Sequence, residues 1–142
     1  MANNANGSGG LDGASSDELR YVQQVYQNQY AVATNSINMI LQELQELNSA
    51  QKTLENVNLV EGKEALTSIG ADTFFFSRVQ STKSVVMAVG GGYLVEKAID
   101  SAKERTAKLI QVRTDRLNRI VKNRKELEAA LIEISYRLGS TR

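Results

Sequence analysis

Apolar and polar residues recur along this chain with two different periods, and the change of period divides it. From Asp17 onward, Leu19, Gln23, Tyr26, Tyr30, Ala33, Ile37, Ile40, Leu44, Leu47, Gln51 and Leu54 follow one another at spacings of three and four. That spacing is the seam of a coiled coil. Ser15 or Ser16 can cap the helix, with Asp17 and Glu18 in the first turn, where negative charge is favoured. A helix over 17–57 is expected. It would be roughly 60 Å long at about 1.5 Å per residue, several times an ordinary globular helix of about 11–12 residues.

Beyond Glu61-Gly62 the three-and-four pattern is gone. Short apolar runs take its place, rich in β-branched and aromatic residues: Leu66 and Ile69, Phe74–Phe76, Val85–Val89 and Tyr93–Val95. Turn sequences separate them: Gly70-Ala71-Asp72, Ser81-Thr82-Lys83 and Gly90-Gly91-Gly92. The pattern predicts four strands in two β-hairpins over 64–96. The hairpins resemble each other at an offset of 20, with Ala65/Val85, Leu66/Val86, Ile69/Val89, Gly70/Gly90, Phe74/Leu94 and Phe75/Val95 in register. The runs Phe74–Phe76 and Val85–Val89 are apolar at every position. Four short strands cannot cover both faces and both edges of their own sheet, so the sheet is expected to need other chains.

A second helix is expected over 97–138, with its seam at Ile99, Ala102, Thr106, Ile110, Arg113, Leu117, Ile120, Arg124, Leu127, Leu131, Ile134 and Leu138. The step Ala102–Thr106–Ile110 predicts a local stutter. Arg113 and Arg124 on the seam are expected to reach outward along their stems. Gly139 is expected to end the helix. Two helices of like length, joined by a compact insert, are expected to return alongside each other. The fold class is therefore mostly α with a small β insert, an antiparallel coiled-coil hairpin joined by two β-hairpins. Residues 1–16 are rich in Gly, Asn and Ser and are expected to form a flexible tail, with 139–142 a short C-terminal tail.

Charge supports the pairing. Residues 1–57 carry six acids and two bases, whereas residues 103–126 carry nine bases and three acids. An acidic helix beside a basic one fixes partner and orientation. The absence of Pro among 142 residues, where about 5% is usual, also fits long uninterrupted helices.

Composition removes several chemistries. With no Cys and no His, disulfides, thiolate chemistry, zinc sites and histidine acid–base catalysis are excluded. No nucleophile has a base beside it, so an enzyme, a cofactor site or a metal site is not expected. A net charge of +1 gives no bulk attraction to polyanions. The basic stretch of the second helix has its charges spread around the helix with an acidic partner available, so a paired, solvated face fits better than a nucleic-acid surface. Gly90-Gly91-Gly92 lacks the Lys-Ser/Thr of a phosphate loop and reads as a hairpin turn. No apolar run approaches the ~20 residues of a membrane span, and the first residues lack the build of a signal peptide. A cytoplasmic protein is expected.

Helix, two hairpins, helix is the plan of the prefoldin family, and the double hairpin resembles its alpha class. The segment EALTSIGADTFFF, Glu64 to Phe76, is similar to the first hairpin of that class. VVMAVGGGYLVEKAIDSA, Val85 to Ala102, resembles the second more closely. The resemblance covers residues 17–138. The three-Phe run and the Asn/Gly-rich start depart from the family pattern. The resemblance implies an ATP-independent chaperone subunit. Two alpha-class and four beta-class subunits would join their hairpins into a double β-barrel platform, and the arms would hold unfolded polypeptide for delivery to a group II chaperonin.

Ile69, Phe74, Phe76, Val85, Met87, Val89 and Leu94 are the expected assembly residues, since closure into a barrel removes free edges. The alternative is a self-contained four-stranded core. In the family architecture the start of the first helix and the end of the second meet at a free tip. The expected client-binding residues there are Leu19, Tyr21, Val22, Val25, Ile132 and Tyr136. The plainer reading is that they broaden the seam. The competing function is a coiled-coil tether that oligomerises through its β insert without binding clients.

Overall fold

A computed structural model describes residues 13–140. The first twelve residues, which make up most of the expected N-terminal tail, and the last two lie outside the described residues. The element order is α1 (Ser16–Glu55), a short 3-10 turn (Val57–Leu59), β1 (Glu64–Gly70), β2 (Thr73–Arg78), β3 (Ser84–Gly90), β4 (Tyr93–Ala98) and α2 (Ile99–Ser140).

Ser15 starts α1 by a reciprocal capping box. Its backbone N–H donates to Glu18 Oε2 at 2.7 Å, and Glu18 N–H donates back to Ser15 Oγ at 3.3 Å. At the other end Asn56 leaves helical geometry, and its side-chain amide donates to the Lys52 carbonyl at 2.8 Å. This satisfies an orphan acceptor of the last turn, and α1 closes two residues short of the expected 57.

The chain forms two compact units. Among the described residues the first comprises 13–41 and 116–140, so within it the start of α1 meets the end of α2. Gln23 Nε2 donates to Ser135 Oγ at 3.2 Å, and the Arg124 guanidinium lies 5.8 Å from the Tyr30 ring centre. As the α1 number rises the α2 number falls, so the helices run antiparallel here. Leu19, Ala33, Ile37, Ile40, Leu127 and Ile134 are buried in this unit. Burying a side chain such as Ile134, which is 0% exposed, stabilises the unit by about 1.5–3 kcal/mol.

The second unit holds residues 42–115, with the end of α1, both hairpins and the start of α2. Glu43 pairs with Arg113 between its two helical segments. Ala102 and Thr106 are its buried positions, at the step where the three-and-four spacing slips to four-and-four. The buried Thr106 hydroxyl donates to the Ala102 carbonyl one turn back at 2.9 Å. Across both helices every expected seam residue is buried or half-buried.

The hairpins are two separate two-stranded sheets, β1 with β2 and β3 with β4. They repeat at the expected offset of 20 down to their irregularities. Leu66 faces Phe76 as Val86 faces Glu96, and each ladder slips just before its turn, between Ser68 and Gly70 and between Ala88 and Gly90. Ala71 and Asp72 (φ 49° and 54°) and Gly91 and Gly92 (φ 60° and 78°) form the two-residue turns. Positive φ at both central positions is the type I′ pattern that matches strand twist.

Two expected boundaries need correction. Lys97 and Ala98 are not the start of α2 but the end of β4, because they pair with Val85 and Ser84. Gly139 does not end α2. The helix continues through it to Ser140, whose hydroxyl donates to the Tyr136 carbonyl at 3.0 Å. The C-terminal tail expected from 139 is therefore helical at Gly139 and Ser140.

Candidate functional site

The hairpins present the larger apolar surface. Directly opposed residues of an antiparallel pair share a face, so Leu66, Phe74 and Phe76 stand together on one face of β1–β2. Phe76 is 85% exposed. Ser68 and the opposed Glu64 and Arg78 border that cluster, and the opposite face carries Ala65 and Phe75 with Thr67 and Ser77. Thr67 Oγ1 donates to Ser77 Oγ at 2.8 Å beside Phe75. In β3–β4 one face gathers Val85, Met87 and Val95, and the other carries Val86 and Leu94 next to Glu96. Ile69 and Val89 sit where the ladders slip.

The seven expected assembly residues thus lie on both hairpins, exposed or half-buried, and are divided between faces rather than gathered on one. Sequence reading missed Leu66, Phe75, Val86, Tyr93 and Val95, all exposed. The signal for Leu66 was its register partner Phe76. The run Phe74–Phe76 places Phe74 and Phe76 on one face and Phe75 on the other, where Thr67 and Ser77 of the same sheet stand beside it. Each two-stranded sheet leaves two edges without partners among the described residues. Such isolated hairpins are marginally stable in water and invite further strands.

The first unit carries the other candidate surface. Tyr21 is exposed, and Val25, one turn on, is half-buried beside half-buried Val22. On α2, Ile132 and Tyr136 also stand one turn apart, 66% and 73% exposed. A shallow groove of about 380 Å³ runs past Tyr30, Glu128, Leu131, Ile132 and Ser135. Leu19 departs from the expected set. At 4% exposure it packs inside the helix pair and has no surface to offer while that pair is closed.

The electrostatics are mild. Hydrogen bonds from Ser15, its backbone N–H first, hold the Glu18 carboxyl below the usual carboxylate range. Lys108, by its hydrogen bond and then its charge, does the same to Glu104, with 2.8 Å between the groups. Glu46, Glu55, Arg116 and Arg119 make no ion pair with any described residue. The charge contrast between the helices is therefore carried by Glu43–Arg113 and by the long-range field, not by a ladder of pairs. Arg124 lies over Tyr30 at a cation–π distance rather than turning straight outward.

Sequence reading also passed over the placement of charge within α1. Its acids and bases cluster at the two ends, and no charged residue occurs from Tyr21 to Gln42.

Among the described residues no group of three carboxylates could hold a metal ion, and no helix is long and apolar enough to cross a membrane.

Comparison with known proteins gives a consistent picture. The prefoldin subunit family model matches residues 26–139. The chain is 29% identical over 125 residues to prefoldin subunit alpha of Pyrococcus horikoshii, covering 87% of this chain and 80% of that one. It is 30% identical over 96 residues to prefoldin subunit alpha 1 of Thermococcus kodakarensis, covering 67% of this chain and 66% of that one. Among solved structures it is similar to the filamentous PFD of Methanocaldococcus jannaschii, with a TM-score of 0.53, 20% identity, and coverage of 84% of this chain and 93% of that chain.

Proposed function

Because the chain belongs to the prefoldin family as an alpha-class chaperone subunit, we propose that it works as a nucleotide-independent holdase built by hairpin assembly. Prefoldins are not enzymes, and this chain assembles with other prefoldin subunits through its family membership. The functional domain is residues 17–138. Its hairpins join those of a second alpha-class and four beta-class subunits in a double-barrel platform. Ile69, Phe74, Phe76, Val85, Met87, Val89 and Leu94 are covered there, and Leu66 beside them. Unfolded chains are gripped at Tyr21, Val22, Val25, Ile132 and Tyr136 and passed on to a group II chaperonin in the cytoplasm.

The observation that carries this reading is the apolar face Leu66–Phe74–Phe76 on a sheet with two open edges. Such a face needs another chain. Exposed apolar residues on the paired helix ends supply a second, weaker contact type. Several copies held on one platform add these contacts by multivalency.

The test mixes this chain with a beta-class prefoldin subunit and measures mass together with suppression of aggregation of a chemically denatured protein, without nucleotide. A discrete six-chain species that suppresses aggregation is expected. Val22→Ser with Ile132→Ser should keep that mass and weaken suppression. A stable oligomer with no suppression would replace the holdase by the tether, and unchanged suppression in the double variant would remove those residues from the client site.

A further inference from the structure

The uncharged part of α1 runs about 33 Å from Tyr21 to Gln42 at 1.5 Å per residue. At the chain's overall 23% charged residues, about five would be expected there, as solvent-facing helix normally carries them. One row along this stretch, at spacings of four and three, begins with Tyr21 and Val25 and then alternates amide and apolar side chains: Asn28, Val32, Asn35 and Met39. Val32 and Met39 are each 65% exposed. A groove of about 500 Å³ lies beside the row, lined by Asn28, Gln29, Val32, Ala33 and Ser36 with Ile120 and Asn123 of α2. The exposed amides of Asn28, Gln29 and Asn35 make no hydrogen bond to any described residue, unlike Gln23, which is tied to Ser135.

A side-chain amide offers N–H donors and a carbonyl acceptor, the same kinds of group of which a peptide unit carries one each. Placing a charge beneath a docked chain would cost its desolvation, whereas an amide finds partners along any backbone. Nucleic acid or an acidic peptide finds no counter-charge on this row. A helical partner would have to bury Asn28 and Asn35 at alternate seam positions, where a coiled coil loses stability. A neutral row with free donors and acceptors between apolar side chains suits an extended polypeptide with little regard to its sequence.

We propose that the row from Tyr21 to Met39 is a lengthwise track for unfolded polypeptide, held by amide-to-backbone hydrogen bonds and by contact with Val32 and Met39. This rests on the holdase reading and extends the client site from the helix ends along α1. Without charges of its own, the track contributes binding that salt does not screen.

The test uses the oligomer of this chain with a beta-class prefoldin subunit. A photo-crosslinking residue is placed at position 32, at 39 or, as a control on another side of α1, at exposed Gln27, which is neither three nor four residues from any member of the row, and a fluorescent, urea-denatured, cysteine-free polypeptide is added. Crosslinks to that polypeptide are expected at 32 and 39 and not at 27. Asn28→Asp with Asn35→Asp, and Val32→Lys with Met39→Lys, should each weaken its binding about tenfold. Wild-type binding through the track should be equal at low and high salt. Val32→Ser with Met39→Ser adds no charge and should weaken binding less but measurably, with helicity and mass unchanged. Crosslinks from 32 and 39 to another prefoldin subunit, or wild-type affinity in all three variants, would overturn the track. If Val22→Ser with Ile132→Ser alone loses binding, the holdase stands and the track falls. If the wild-type oligomer captures no unfolded polypeptide, the holdase reading falls and takes the track with it.

Discussion

Ala71 and Asp72 hold left-handed backbone angles that the matching positions of the second hairpin give to Gly91 and Gly92. A side chain in that region costs about 1–2 kcal/mol, less for Asp, whose short polar side chain tolerates it. Ala71→Gly is therefore expected to stabilise the first hairpin by up to about 1 kcal/mol after the entropy cost of glycine, seen as slower amide exchange at Thr73 and Phe74. Gly91→Ala should do the reverse in the second, since its Cβ would lie 3.3 Å from the Tyr93 ring at φ +60°. Glu18 gives a pH prediction. Its carboxyl is held below its ordinary range when α1 is folded, so its contribution is present above the unfolded-state value and is lost as pH falls through the lower folded one. Acidification through that window should fray the first turn of α1, read as faster amide exchange there; Glu18→Gln should abolish the pH dependence, whereas Ser15→Ala, which keeps the backbone N–H, should only reduce it. At this scale the sequence displayed the seam, because buried positions of a long helix repeat. It did not display the strain at Ala71, which depends on a turn closed by distant strand pairing. Nor did it display the burial of Leu19, which is both the first seam residue and a candidate for the surface.

Among the elements, the long helices were the most legible, since a three-and-four period sustained over many turns has few alternative readings. The hairpins were legible through their turns and their repeat. Their ends were not. Ala98 reads as helix locally and becomes strand because Ser84 pairs with it across the sheet. Charge showed which helices could pair, not which groups meet. Arg113 reaches Glu43 from a seam position, and both side chains are partly solvated, at 33% and 44% exposure. Arg113→Glu should therefore destabilise the helix pair by about 1 kcal/mol, a partly screened like-charge contact. Adding Glu43→Arg should recover most of the loss. A double-mutant cycle in thermal unfolding measures the coupling, and additive losses would show that the pair contributes nothing.

For the molecule as a whole, the open sheet edges announce missing strands without saying whose they are. This is why assembly could be read from one chain and its partners could not. The two hairpins share a backbone plan but are not interchangeable. Where the first presents Phe76, the second presents Glu96. Leu66→Asp with Phe76→Asp places charge on the first hairpin's apolar face and should leave helicity intact while sedimentation shows the six-chain species lost. Retention of that species would shift assembly to the second hairpin. The candidate client surface was less legible than the platform, because apolar residues at helix ends look alike whether they widen a seam or face solvent. The clustering of charge at the two ends of α1 has one more consequence. Trypsin cuts after Lys and Arg, and none occurs between Arg20 and Lys52, whereas α2 offers basic residues throughout its middle turns. A tryptic digest of partly opened molecules would shred one helix while leaving residues 21–52 of the other as a single intact fragment.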